Sequence, residues 1–315
     1  MYCTHFQLDR QPFKITPDTS LFYTGGQRGA ALEALVYAIQ RGEGITKVVG
    51  EVGSGKTMLC RMLALKFPDK VEFVYLNNPR ISAQLLPHLV AMELNLPVDN
   101  SQSRVEVIQR LQLYLIEQHK IGKQVVILAE EAQSMPLDTL EEIRLLTNLE
   151  TEQNKLIQIV LFGQPELDQL LDRTEIRQLK DRITFNLYLR PFDTQDIQHY
   201  LNFRMTLAGY RGDNLFTRSV ARLIYRHSSG LLRRINIIAD KALLSSFSRG
   251  KNRIAGKDVI NAALDSDLHK PYSKSALVIS FLVSVVLLGA GLANAVAISS
   301  ANTSLISHPL THQEK

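Results

Sequence analysis

The chain has 315 residues, room for about two domains at roughly 100 to 200 residues each, so a core can form without disulfide or metal staples. Apolar residues make up 45% and charged residues 21%, near the soluble average, which excludes disordered and stapled mini-protein classes. The net charge of +5 conceals an asymmetry: residues 1–200 hold 21 Lys/Arg against 25 Asp/Glu, whereas residues 201–274 hold 14 against 5. So basic a segment suits an anionic partner, whether phosphate, lipid headgroup or nucleic acid. Cys3 and Cys60 show neither CxxC nor Cys/His spacing, which fits a reducing compartment.

Met1 to Arg10 has no apolar core of a signal peptide, so the N-terminus is expected to stay in the cytoplasm. A lead-in with Phe6, Leu8, Pro12, Phe13 and Pro17 precedes an amphipathic helix around Ala30 to Ile39. Apolar runs at Ile45–Val49, Val71–Leu76, Val125–Ala129, Ile157–Phe162 and Ile183–Leu189 read as strands. Helical segments separate them, with start signals at Ser82, at Ser103 with Glu106, and at Pro136. Strands alternating with helices predict an α/β architecture with a five-stranded parallel sheet over 41–192. From Asp193 the apolar period becomes 3.6 and predicts an all-α domain to residue 268, with helices near 194–208, 217–228, 232–248 and 257–265, each opened by Asp, Thr or Gly.

A short basic linker, 269–274, leads into Ser275–Ser300, a stretch without a charged residue. At 1.5 Å per residue it is long enough to cross a hydrocarbon core of about 30 Å, so a single transmembrane helix is expected. Lys270 and Lys274 lie before it and only Lys315 after it, which places the large domain in the cytoplasm and the 301–315 tail outside.

The chemistry is written in two places. Gly50-Glu51-Val52-Gly53-Ser54-Gly55-Lys56-Thr57 matches the phosphate-binding loop G-x4-GK[ST], directly after a predicted strand and before a helix, and these residues with Met58 are the expected nucleotide-binding set. Glycines let backbone N–H groups curl around a phosphate, the helix N-terminus adds positive potential, Lys56 reaches the β- and γ-phosphates, and the Thr57 hydroxyl ligates Mg2+. This loop predicts ATP with Mg2+ as ligand. The apolar strand ending in Glu130-Glu131-Ala132-Gln133 supplies two carboxylates at its C-terminal edge. The first is assigned to the metal and the second to polarising the attacking water.

These blocks carry a family resemblance. HFQLDRQPF, TPDTSLFYTGG, GEGITKVVGEVGSGKT, EEAQSMP, VLFGQPELDQLL and RQLKDRITF, in order over about residues 1–268, resemble the ExeA/MshM type of AAA+ ATPase, which serves general secretion and type IV pilus biogenesis at the inner membrane. The resemblance implies the AAA+ fold, a strand order 5-1-4-3-2, and a lid formed by the helical domain. It also implies that Gln164 contacts the γ-phosphate or water, that Arg182, or Arg177 nearby, reaches a neighbouring subunit's nucleotide, and that Arg233, beside Arg234, closes on the γ-phosphate. A homo-oligomer at the inner membrane with pilus or secretion proteins as partners follows, the basic lid lying near anionic headgroups. The alternative is the DNA-binding regulator of the transposition type. Two positions depart from the family pattern: Glu130 stands where Asp is usual, and Leu232 where Pro precedes the lid arginine.

Overall fold

The computed structural model describes residues 2–268 apart from Glu43, Pro68 and Asn100. The linker, the expected membrane segment at 275–300 and the tail lie outside the described residues; among the described residues no helix is long and apolar enough to cross a membrane. In chain order the chain forms α1 (Tyr2–His5), α2 (Arg28–Arg41), β1 (Ile45–Gly50), α3 (Lys56–Leu65), β2 (Val71–Leu76), α4 (Leu86–Glu93), α5 (Arg104–Lys120) and β3 (Gln124–Ala129). There follow α6 (Leu137–Leu146), β4 (Ile157–Gly163), α7 (Glu166–Leu171), α8 (Arg177–Lys180), β5 (Ile183–Leu189), α9 (Thr194–Leu207), α10 (Arg218–Ser228), α11 (Leu232–Ser248) and α12 (Gly256–Leu264).

The five strands are parallel in the order β2-β3-β4-β1-β5, the order the resemblance implies read from the other edge. Alternation of side chains sorts the apolar strands onto two buried faces. Val125, Ile127, Ile157, Ile159 and Leu161 face α4 to α7 through Leu86, Val90, Leu111, Ile143 and Leu167. Val126, Leu128, Val160 and Phe162 face α2 and α3 through Leu35, Ile39, Leu59 and Leu63. Such a sheet puts all its strand C-termini on one edge, where β1, β3 and β4 deliver their loops.

The helical domain has its own core, and the lead-in belongs to it: Tyr2, Phe6, Leu8 and Phe13 pack with Ile197, Leu201, Phe216, Ile235 and Val259. Ser103 and Glu106 form the predicted capping box on α5, and Asp193 with Asp196 forms one on α9. Three start signals are corrected. Ser82 opens a turn, its carbonyl accepting from Leu85 and Leu86 N–H, and α4 begins four residues later. α11 has the expected bounds, Leu232–Ser248, but its cap residue is Leu231 and not glycine, without a side-chain cap. α12 begins after Ala255, whose N–H is held by the Asp258 carboxylate at 2.8 Å, rather than being opened by a cap residue of the expected kind.

Candidate functional site

The loop after β1 is shaped by close contacts with the lid. Gly53 has φ +76°, and a Cβ there would stand 2.6 Å from the Arg233 Cβ, so the loop needs glycine both for its backbone and for the approach of α11. The Arg233 N–H donates to Gly53 O at 3.2 Å, so one of the four orphan donors of uncapped α11 is satisfied by the loop itself. Lys56 is buried, and its Nζ donates to Gly50 O at 2.7 Å and Glu51 O at 3.2 Å. Burial pulls its pKa below the usual lysine value against the opposing pull of Glu131 and Glu130.

Two polar pairs meet beside this loop. Thr57 Oγ1 donates to Glu130 Oε2 at 2.6 Å, so the longer glutamate brings its carboxylate directly onto the hydroxyl. Hydroxyl and carboxylate oxygens are the donor set a Mg2+ ion accepts, and the residues present fit that metal. Glu131 adopts a left-handed backbone, φ +54°, and its Oε2 accepts from Gln133 Nε2 at 2.7 Å and Gln164 Nε2 at 2.8 Å. Burial works to raise its pKa, but these two hydrogen bonds and the Lys56 charge outweigh it and hold the carboxyl below the usual range. Gln164 N–H also donates to Gln133 Oε1 at 3.0 Å, which ties the ends of β3 and β4 together.

A cavity of about 470 Å³ opens between loop, lead-in and lid. Val52, Gly53, Gly55, Lys56, Thr57, Met58, Glu131 and Arg233 line it. Gly50, Glu51 and Ser54 do not; they form the back of the loop, where Ser54 O accepts from the buried Arg28 guanidinium at 3.0 Å. Arg233 is exposed at the cavity wall. Arg182 is far away: Ile45 N–H donates to its carbonyl at 3.1 Å, at the start of β1, and its Nη1 donates to Thr147 Oγ1 at 2.6 Å. The five steps of β1 from Ile45 to Gly50, roughly 17 Å at 3.3 Å per step, separate that edge from the loop. Arg177 is exposed on α8.

Sequence reasoning missed the opposite wall. Lys14, Ile15 and Pro17 of the lead-in, Tyr23 and Phe192 at the base of the lid, and Tyr200, Arg204 and Asn236 on α9 and α11 complete the cavity. No spacing rule joins residues 14, 200 and 236. The i, i+4 pair Tyr200/Arg204 and the i, i+3 pair Arg233/Asn236 were the sole local signals that these faces are polar where core is expected.

The family model described as an AAA domain matches residues 39–171. Over 265 residues the chain is 38% identical to general secretion pathway protein A of Aeromonas hydrophila, covering 84% of this chain and 48% of that protein. It therefore spans about half the length of that relative. Among solved structures it is similar to Cdc6p from Pyrobaculum aerophilum, with a TM-score of 0.62, 18% identity and coverage of 82% of this chain and 73% of that one. The ORC2 protein of Aeropyrum pernix gives a TM-score of 0.60 and 18% identity, over 81% of this chain and 71% of that one, and at these identities the likeness is one of fold. Sheet order, the loop motif and the long alignment together make this chain a homologue of general secretion pathway protein A that carries an AAA domain.

Proposed function

We propose that this protein is a membrane-anchored ATPase that binds ATP in the cavity, hydrolyses it within a homo-oligomer, and so drives or regulates assembly of a secretion or pilus apparatus at the bacterial inner membrane. The observation that carries the reading is the pairing, beside one loop, of Thr57 with Glu130 and of Glu131 with Gln164. Lys56 and the loop N–H groups hold the phosphates. Mg2+, when bound, neutralises developing phosphate charge; Thr57 and Glu130 would hold it. Glu131, kept ionised by its hydrogen bonds, accepts the proton of the attacking water, and Gln164 fixes its orientation. Arg233 reaches the γ-phosphate from the lid, and Arg182 acts on the site of the neighbouring subunit. The domain division into core 41–192 and lid 193–268, the anchor at 275–300, and contact of the basic lid with anionic headgroups belong to the same reading.

Purified full-length protein tests it. Lys56→Ala is expected to lose nucleotide binding, and Glu131→Gln to keep binding while losing hydrolysis at least about a hundredfold. The Glu131→Gln protein extracted from membranes in ATP should bring secretion or pilus platform proteins with it. Hydrolysis unaffected by either change would sink the proposal, as would release of the chain from membranes by carbonate for the anchor. A second reading, binding of duplex DNA through the lid, rests on exposed Arg218 and Arg222 one turn apart on α10. It requires salt-sensitive DNA binding that charge reversal at both arginines removes.

A further inference from the structure

The cavity has two chemically different ends. Lys56, Thr57 and Arg233 make one end cationic and polar, while Ile15, Pro17, Phe22 and Tyr23 make the other apolar and aromatic. Phosphates belong at the first and a flat heteroaromatic ring at the second. Asn236 lies on α11 three residues beyond Arg233, roughly 4.5 Å further along the helix from the turn that meets Gly53, and is 9% exposed. Its amide is held by a directional chain of hydrogen bonds.

The direction of that chain follows from what each group can do. Arg204, 4% exposed, has only donors: its Nε donates to Pro12 O at 2.7 Å and its Nη1 to Tyr200 Oη at 3.0 Å. Tyr200, also 4% exposed, accepts there and donates its own proton to Asn236 Oδ1 at 2.7 Å. Burial raises the Tyr200 pKa against the pull of Arg204, so the phenol keeps that proton at neutral pH. An asparagine amide is otherwise free to present either end, but here Oδ1 is pinned by Tyr200 and Nδ2 is the end left over.

We infer that Asn236 reads the nucleotide base, with Tyr200 and Arg204 as positioning residues that fix its amide so that adenine is accepted and guanine refused. The inference rests on the proposed binding of ATP in this cavity. A carbonyl oxygen has two lone pairs, so Oδ1 retains one acceptor beside the Nδ2 donors. That acceptor and donor pair complements a ring nitrogen next to the exocyclic amine of adenine, whereas guanine in the same pose turns an acceptor, O6, toward Oδ1. The loop fixes the phosphates and the relay fixes the amide, so neither partner can turn to relieve the mismatch.

Calorimetric titration of the full-length protein with ATP, GTP and inorganic tripolyphosphate, each with Mg2+, tests this. The wild type is expected to prefer ATP over GTP by about tenfold. Asn236→Ala should bring the two within about twofold, and Tyr200→Phe, which keeps the ring packing but frees the amide to turn, should also relax the preference. Tripolyphosphate, which has no base, should bind all of these alike and be lost only in Lys56→Ala. If the variants weaken ATP and GTP equally, or leave the ratio unchanged while tripolyphosphate still binds, the base-reading role is wrong and the phosphate site stands. If the wild type binds none of the three, the ATP reading fails and this inference with it. Should Asn236→Ala not fold, Tyr200→Phe alone decides.

Discussion

Glu131 shows how hydrogen-bond donors set the charge of a single side chain. Burial alone would raise its pKa, yet Gln133 and Gln164 aim amide donors at one oxygen and Lys56 adds a positive charge, so the carboxyl is held below the ordinary range. A base with a depressed pKa stays ionised as pH falls through about 4.3, the usual glutamate value, and loses its charge only below it. Gln164→Ala removes one donor and lets the pKa rise. The acid limb of the pH–rate profile is therefore expected to move to higher pH, with the plateau rate at neutral pH reduced about tenfold or more. A profile whose acid limb stays in place would mean that Gln164 does not support the Glu131 charge. Residue-scale reading from sequence reached both glutamates and Lys56, because motif spacing reports them. It did not reach the direct Thr57–Glu130 contact, which depends on how far β3 and the loop after β1 are set apart in the sheet.

At the scale of elements, the lid is held in place by groups that replace missing caps. α11 lacks a side-chain cap and uses Gly53 O, which couples the first turn of this helix to the loop after β1. Gly230, just before it, has φ +76°, and a Cβ there would lie 2.2 Å from Phe192 O, so the core–lid joint is closed by backbone against backbone. α12 is tied down by Asp258, which is wholly buried and accepts from Ala255 N–H at 2.8 Å, Ser245 Oγ at 2.9 Å and the Arg249 guanidinium. Burial works to raise the Asp258 pKa, and these partners together lower it. Its contribution to stability is thus present above the ordinary aspartate value of about 3.9 and lost as pH falls through the depressed one. Arg249→Ala is expected to destabilise the fold by about 2 kcal/mol at neutral pH, with the deficit shrinking in acid as Asp258 becomes protonated. Urea unfolding at neutral and acidic pH checks it; an equal deficit at both would assign the effect to lost packing. The pair Ser103 and Glu106 on α5 was legible because cap and partner are three residues apart, and on α9 the opening Asp193 was legible while its partner Asp196 was not singled out. The start of α11 was legible from its 3.6 period, but the Gly53 partner of its first turn was not, because it lies 180 residues away in the chain.

At the scale of the molecule, the sheet separates Arg182 from the loop of its own chain by the length of β1. On the proposed reading, an arginine at that edge serves only a neighbour. Arg182→Ala and Lys56→Ala chains should each be inactive alone, and a mixture should recover part of the hydrolysis, because some interfaces then join an intact loop to an intact arginine. No recovery over a full range of mixing ratios would remove Arg182 from catalysis.

The strands, the loop, the two carboxylates and the alternation of sheet with helical domain were determined by the sequence itself, because each depends on neighbours within a few residues: a period of 2 or 3.6, a glycine spacing, an acid at a strand end. The strand order came from resemblance to a family. What only the tertiary structure decided is which distant segments share the cavity. The lead-in at Ile15, α9 at Tyr200 and α11 at Asn236 meet there because apolar cores on both sides bring them together, and burial against a non-local partner leaves no mark in local periodicity.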